Sequence, residues 1–217
     1  MAHQIERSVI ATVRHPVFAR VYDRLSRLME KEVGEQRREL LAGLRGRVLE
    51  IGAGNGTSFR RYPATVEEVV ALEPEPHLRA RAEQAARHAS VPVAVRPGVA
   101  EALALPDGHF DAAVAGLVLC TVSDQPRALA ELRRVLRPDG ELRFLEHVRS
   151  PDPRRARRQV RLDRWRIWPC VGGGCHCSRC TVDAIEHAGF RIERIRSFDL
   201  GPPWLVTNPH VLGVARR

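Results

Sequence analysis

The central part of the chain alternates between short apolar runs and amphipathic stretches. Apolar runs occupy residues 47–51, 69–72, 91–95, 110–119 and 141–146, and helical spacing marks residues 77–89 and 126–136. A continuous apolar run of this length is typical of a parallel strand that is covered on both faces. The alternation therefore predicts an α/β fold built on a parallel sheet.

The two ends of the chain follow other patterns. Residues 5–41 repeat apolar positions at helical spacing, with one stripe made of Phe18, Val21, Leu25, Leu28 and Met29. Near the other end, residues 184–188 predict a short helix, and residues 190–198 and 211–215 predict a final pair of strands. The sequence thus predicts a helical segment before the sheet and a strand pair after its parallel part.

A glycine-rich turn follows the first apolar run. Gly52, Gly54 and Gly56 stand directly after Val48–Ile51, and Thr57 and Ser58 come next. Glycines suit a tight turn that needs unusual dihedral angles and lets a ligand approach the bare backbone. Because short hydroxylated side chains cap helix starts, we expect a helix to begin after the turn.

Two acids near this turn indicate which cofactor it holds. Glu50 precedes the first glycine by two residues, and Glu73 ends the next apolar run about 20 residues later, where an acid can bind both ribose hydroxyls. A dinucleotide fingerprint would need a third glycine at the position of Thr57 and positive surroundings for its pyrophosphate. The acids favour a cationic ligand, S-adenosylmethionine, and an NAD(P)-binding oxidoreductase stays as the alternative.

With these motifs the chain resembles the class I S-adenosylmethionine-dependent methyltransferases over residues 44–148. Residues 107–148, together with Gly174-Cys175-His176 and Asn208-Pro209-His210, resemble the methyltransferase-like 7 group, whose animal members are thiol methyltransferases. Those animal proteins begin with a hydrophobic anchor, and we expect none here. The resemblance implies a Rossmann-like, doubly wound, seven-stranded sheet with an antiparallel last strand and an N-terminal helical cap.

The resemblance also implies the division of the chain and its site residues. We expect one domain, residues 1–217, with a cap at 1–43, a cofactor-binding half at 44–150 and substrate-side helices with the final strand pair at 151–217. Many relatives hold the adenine amino group with an aspartate where this chain has Val99, so we expect that contact from Glu101 or from backbone groups. The predicted cofactor-binding residues are Glu50, Gly52, Ala53, Gly54, Gly56, Glu73, Pro74, Ala100, Glu101 and Leu117.

The acceptor side is predicted beyond the carboxyl ends of the strands. There we place the candidate pocket residues Cys120, Trp204 and His210. Tyr22 is a fourth candidate, as a lid residue, because the resemblance implies that the N-terminal helices lie over the cofactor cleft. His147 ends the fifth apolar run, and a neutral imidazole has the pKa range to deprotonate a bound thiol. We interpret Cys120 as a small buried residue rather than a nucleophile, since direct methyl displacement needs no covalent intermediate. The alternative for His147 is a structural role at the strand end.

Charge and cysteine content limit the classes of binding partner and the cellular compartment that we predict. The net charge is +9, and seven arginines fall within residues 154–166. Without an aromatic stacking module, we favour a solvated helix over contact with a membrane or a specific nucleic acid. Five cysteines and no secretory signal indicate a reducing compartment, the cytoplasm.

Four of the cysteines crowd into residues 170–180. Thiolates with a neighbouring histidine invite a zinc interpretation, but the chain offers no second Cys-x-x-Cys pair to complete a closed site, and we expect no metal. The function predicted is methyl transfer to a small, apolar acceptor. The acceptor stays open between a thiol and an oxygen, nitrogen or carbon atom of a lipid or metabolite. A basic binding module that has lost catalysis stays open as an alternative function. The sequence does not predict the oligomeric state.

Overall fold

The computed structural model describes residues 16–28, 30–202 and 204–217. Met29 of the predicted stripe and the residues of the cap before Pro16 lie outside these ranges. Seven strands form one sheet: β1 (Gly46–Ile51), β2 (Val66–Leu72), β3 (Val93–Arg96), β4 (Phe110–Gly116), β5 (Leu136–His147), β6 (Arg191–Asp199) and β7 (Pro209–Arg216).

Helices flank the sheet. They are α1 (Pro16–Leu28), α2 (Glu30–Leu41), α3 (Pro76–Ala86), α4 (Gln125–Val135), α5 (Pro153–Arg164), α6 (Ile167–Val171) and α7 (Thr181–His187). Acidic side chains cap three of them at residues that the sequence offers for this purpose, since Glu75, Asp124 and Asp152 each accept a backbone N–H three residues later. A proline in the first turn of each of these helices fits the same start.

The sheet confirms the predicted topology. Its strand order is β3-β2-β1-β4-β5-β7-β6. The first five strands are parallel, and β7 runs antiparallel between β5 and β6. Strands are added toward one edge of the sheet from β1 to β3 and toward the other edge from β4 onward, so the order switches between β1 and β4. Ligands of open α/β sheets bind at such a switch point, outside the carboxyl ends of the strands.

The central strands are buried on both faces, as their continuous apolar runs predict. Leu49 and Ile51 of β1 pack into a core with Leu129 of α4, whereas Val48 packs into a second core with Leu41 of α2. The glycine turn after β1 is thereby held between two helical layers. Among the described residues, no helix is long and apolar enough to cross a bilayer.

Two local predictions are wrong. β4 ends at Gly116 instead of Leu119, because Leu117 adopts a left-handed conformation with φ of 59°. Residues 137–140 do not separate a helix from a strand; β5 already begins at Leu136, and these residues interrupt its pairing with β4 as a bulge. The short helix predicted after the glycine turn is confirmed as a single turn of 3₁₀ helix at Phe59–Arg61, although Ser58 makes no side-chain cap bond.

Candidate functional site at the carboxyl edge of the sheet

The glycine turn has a backbone shape that only glycine adopts easily. Gly52, Gly54 and Gly56 all have φ between 57° and 77°. A Cβ atom on Gly52 would lie 2.3 Å from Cγ2 of Val118, so this position also lacks space for a side chain. The turn therefore brings bare backbone to the edge of the sheet where β1 and β4 end.

Glu73 connects the end of β2 to this turn. Its Oε2 accepts the Gly54 N–H at 2.8 Å, and its Oε1 accepts the Glu75 N–H at 2.9 Å. Burial raises the pKa of Glu73 to about 7, although these two hydrogen bonds lower it. The carboxylate is thus fixed beside the glycine turn and keeps lone pairs for the hydroxyl groups of a ligand.

Glu50 is also buried and has a partner that sequence reasoning missed. Its Oε2 accepts the Tyr62 hydroxyl at 2.8 Å. Burial raises the pKa of Glu50 to about 7, whereas hydrogen bonds from Tyr62 and Ser58 lower it. Glu50 and Glu73 therefore give the site two carboxyl groups that ionise more readily when a cation is near.

Helix α1 lies over the glycine turn. Cε1 of Tyr22 would lie 3.4 Å from a Cβ on Gly54, and the ring of Tyr22 stacks on Phe18 with centroids 5.7 Å apart. The Asn55 amide donates to Oδ1 of Asp23 and to Oγ of Ser26, both at 2.9 Å. These polar contacts join α1 to the turn, and no periodic signal in the sequence could have identified them.

The remaining predicted cofactor residues line the same edge of the sheet. Ala53 is buried and donates its N–H to the Leu72 carbonyl, and the Pro74 carbonyl accepts from Arg79. Ala100 is buried as well. Glu101 uses Oε1 to accept the N–H and the hydroxyl of Ser123, at 2.6 and 2.7 Å, so one of its oxygens is already engaged with the loop after β4.

Leu117 combines a strained backbone with this location. Its left-handed φ is uncommon for a residue with a side chain, and such strain is often found at functional sites. Its N–H donates to the Leu145 carbonyl at 2.7 Å, and the following N–H groups of Val118 and Leu119 donate to Glu146. The loop after β4 is therefore held open over the end of β5.

Cys120, His147 and Cys175 meet beyond the ends of β4 and β5. All three are buried, and Sγ, Nε2 and Sγ lie within 4.8 Å of one another. His147 Nε2 is 2.9 Å from Cys175 Sγ, and the Trp168 indole N–H donates to the same sulfur at 3.2 Å. Among the residues that the structure describes, none pairs with the buried Nδ1 of His147.

The three side chains shift one another's pKa values. A hydrogen bond from Cys175 and the charge of His147 lower the pKa of the Cys120 thiol, although burial opposes them. Donation to Cys120, together with burial, raises the pKa of Cys175. Burial lowers the pKa of His147, but the negative charge of Cys120, a hydrogen bond to Cys120 and the charge of Asp163 together raise it by more, so the net shift is upward. The arrangement stabilises one thiolate, on Cys120.

The other two candidates for the acceptor pocket, His210 and Trp204, lie in different places. The His210 ring lies edge-on to that of His147, with centroids 6.1 Å apart, and burial lowers the pKa of His210 to about 4. Trp204 is 71% exposed, and its carbonyl lies 3.5 Å from Nη1 of Arg158 on α5. The fold thus brings Cys120, His147 and His210 together and leaves Trp204 on the surface.

Comparison with known proteins agrees with the fold and the glycine turn. The sequence model of a family described as a methyltransferase domain matches residues 49–144. Human thiol S-methyltransferase TMT1B is 37% identical over 185 residues, which are 81% of this chain and 73% of that protein. Human thiol S-methyltransferase TMT1A is 30% identical over 214 residues, covering 88% of this chain and 82% of that protein.

Solved structures show the same fold at low identity. An S-adenosylmethionine-dependent methyltransferase from Mesorhizobium loti superimposes with a TM-score of 0.63 at 19% identity, covering 86% of this chain and 98% of its own. The N-methyltransferase NodS from Bradyrhizobium japonicum, solved with S-adenosyl-L-homocysteine, gives 0.64 at 17% identity, covering 87% and 86%.

The oxidoreductase alternative and the alternative of a module without catalysis are set aside by this relationship. The methyl donor is S-adenosylmethionine, as the acid pair around the glycine turn predicts. The chain belongs to the class I S-adenosylmethionine-dependent methyltransferases and, within them, to the family that includes TMT1A and TMT1B.

Proposed function

We propose that this methyltransferase transfers the methyl group to a small apolar thiol and that His147 ionises the acceptor. The observation that carries the proposal is the buried imidazole at the carboxyl end of β5, whose Nδ1 has no partner among the described residues. The relatives that cover most of the chain are thiol S-methyltransferases, which supports the same acceptor class.

Thiol chemistry suits this arrangement. A thiolate attacks the methyl carbon of the sulfonium in line, the carbon–sulfur bond to the cofactor breaks, and S-adenosylhomocysteine leaves as a neutral thioether. Alignment supplies most of the rate, because the carbon is already activated. The acceptor must lose its proton first, and Nδ1 of His147 can accept that proton when Nε2 donates to Cys175.

We assign the residues around the reacting atoms from their positions in the fold. Glu50, Glu73, the backbone of the glycine turn and the segment at Ala100 hold the cofactor, with Tyr22 above the turn. Cys120 and His210 flank the acceptor. Trp204 is dropped from the pocket in this proposal, because its side chain is exposed beside α5.

We further propose that the enzyme works in the cytoplasm on a soluble small molecule. All five cysteines are free, as expected in a reducing compartment. The seven arginines at residues 154–166 are exposed, and α5 buries only Ala156 and Gln159. A solvated basic helix fits this arrangement, and no specific nucleic acid is assigned to it.

An acceptor screen tests the proposal. Purified protein is incubated with S-adenosylmethionine carrying a labelled methyl group and with matched thiols, phenols and amines that share the same carbon skeleton. We expect labelled thioether from the thiols at a rate at least about tenfold above the others. Preferential transfer to the phenol or the amine would contradict the thiol assignment and leave the methyltransferase assignment intact.

A further inference from the structure

The cysteine–histidine cluster has the donor atoms of a metal site. Cys120 follows β4, His147 ends β5 and Cys175 lies in the loop between α6 and α7, so three distant parts of the chain converge there. Two sulfurs and one imidazole nitrogen are a ligand set that zinc binds, and catalytic zinc sites keep a fourth position open. Such convergence of soft donors in a buried place needs a reason beyond packing.

We propose that Cys120, His147 and Cys175 bind a thiophilic divalent cation, represented by Zn²⁺, whose fourth position receives the sulfur of the acceptor. The identity of the acceptor rests on the proposed function above; the cation site does not. In the loaded enzyme, His147 serves as a ligand through Nε2, and the cation takes over from Nδ1 the task of ionising the thiol.

The geometry lies within reach of a tetrahedral site. Zinc bonds of about 2.3 Å to sulfur and 2.0–2.1 Å to nitrogen place two sulfurs about 3.8 Å apart and a nitrogen and a sulfur about 3.6 Å apart. The three donor atoms all lie within 4.8 Å of one another. In the loaded site, the 2.9 Å contact between His147 and Cys175 lengthens to about 3.6 Å.

Neighbouring groups support the ligands. The Trp168 indole donates to Cys175 Sγ, and donors of this kind stabilise a metal-bound thiolate. The backbone N–H groups that precede Cys120 donate to the buried carboxyl of Glu146, which fixes the segment carrying the ligand. Two thiolates also neutralise a divalent cation, so the loaded site carries no net charge of its own into the buried environment.

The cysteines of the proposed site are not the ones that lie close together in the sequence. Cys170 and Cys180 are exposed, and the Cys177 sulfur contacts Asp163 Oδ1 at 3.3 Å instead of facing Cys175. Only Cys175 of that segment joins the cluster. The expectation of no metal rested on the lack of a second cysteine pair, and the fold supplies the missing ligands from β4 and β5.

The chemistry balances without further reactants. An acceptor thiol binds the cation, its S–H bond breaks and the proton passes to solvent. The bound sulfur then attacks the sulfonium methyl group, so a new carbon–sulfur bond forms as the bond to the cofactor breaks. The products are a methyl thioether and S-adenosylhomocysteine. Because a neutral thioether is a weaker ligand than a thiolate, product leaves the cation and the site is free again.

Metal binding to the whole chain tests the site without any activity measurement. Chelator-treated protein is titrated with Zn²⁺ and, as a spectroscopic probe, with Co²⁺. We expect about one ion per chain with thiolate-to-cobalt absorption, lost in Cys120→Ser, Cys175→Ser and His147→Ala. The control variants Cys170→Ser and Cys180→Ser should bind like wild type. X-ray absorption on zinc-loaded wild type should show two sulfur neighbours, which avoids reliance on variants that fold poorly.

Several outcomes overturn the inference. The inference fails if the wild-type protein takes up no zinc at micromolar concentration. It also fails if zinc binding survives in Cys120→Ser and Cys175→Ser but disappears in Cys170→Ser or Cys180→Ser. If chelated protein methylates thiols at the rate of loaded protein, the role of the cation fails and the proposed function stands. If zinc binds as expected but no thiol is methylated, the site stands and the acceptor assignment fails.

Discussion

The Glu73 carboxylate accepts the backbone N–H of Gly54 at 2.8 Å, across 19 residues of sequence. This bond joins the ends of β1 and β2 at the edge that we assign to the cofactor. It couples the acid that we assign to the ribose with the turn that we assign to the rest of the cofactor. Perturbing either residue should therefore disturb one common site.

Replacing Glu73 should weaken cofactor binding. We expect Glu73→Gln to lose about 1.5–3 kcal/mol of binding free energy for S-adenosylhomocysteine, because charge-assisted hydrogen bonds to hydroxyl groups become neutral ones. Calorimetric titration measures the loss. Glu67→Gln, an exposed change on the same strand, is the matched control and should bind like wild type. Equal affinity in the two variants would remove Glu73 from the site.

Cofactor binding should depend on pH. Burial raises the pKa of Glu50 and of Glu73 to about 7, and a cationic cofactor favours their ionised forms. Affinity for S-adenosylmethionine should therefore rise as pH increases from 6 to 8, with release of protons on binding. Calorimetry in buffers of different ionisation enthalpy measures that release. Flat affinity and no proton release would show that neither carboxyl group meets the cofactor's charge.

The same two acids should make the stability of the cofactor-free protein depend on pH, with a sign opposite to that of cofactor affinity. Between the ordinary carboxyl pKa and about 7, the folded protein binds more protons at Glu50 and Glu73 than the unfolded chain does. These groups should therefore make the unfolding free energy of cofactor-free protein fall as pH rises through this window. Urea unfolding of wild type and Glu50→Gln at pH 5 and pH 7.5 isolates the effect. An identical pH trend in both proteins would contradict it.

Gly52→Ala should destabilise the protein more than a backbone effect alone explains. Its φ of 59° costs about 1–2 kcal/mol for alanine, and the collision with Val118 adds about 1–3 kcal/mol. Gly108→Ala is the matched control, since Gly108 has nearly the same φ and nothing within 4 Å of a Cβ. Urea unfolding compares them. Equal losses would mean that the Val118 contact is unimportant.

In chelator-treated, metal-free protein, His147→Ala should slow thiol methylation in a pH-dependent manner. Loss of a group that takes up the proton costs about 10²–10⁴-fold in rate. The loss should shrink as pH rises past about 8.5, because a free thiol then ionises unaided. Rates with saturating cofactor from pH 6 to 10 test this, with the exposed His187→Ala as control. Wild-type speed for His147→Ala at pH 6.5 would make His147 structural.

Much of the fold could be predicted because it depends on patterns of residues that are close together in the sequence. The apolar runs of β1, β2 and β4 and the helical spacing between them require strands covered on both faces, and a glycine cluster directly after a strand requires a turn with open backbone. The spacing from Gly52 to Glu73 predicts the class of cofactor, because the two adjacent parallel strands β1 and β2 and their short connection set where the next acid emerges. These features are contained in short windows of sequence.

The acceptor side depends on distant contacts, and only the tertiary structure decided it. The hydrophobic pattern cannot show that Cys175 leaves its cysteine-rich segment to meet Cys120 and His147, nor that Trp204 points to solvent. The sequence gives no sign of the Asn55–Asp23 bond that holds α1 over the glycine turn. Pairs of this kind are set by how distant elements of the chain pack together, and packing joins residues whose separation along the chain has no periodicity.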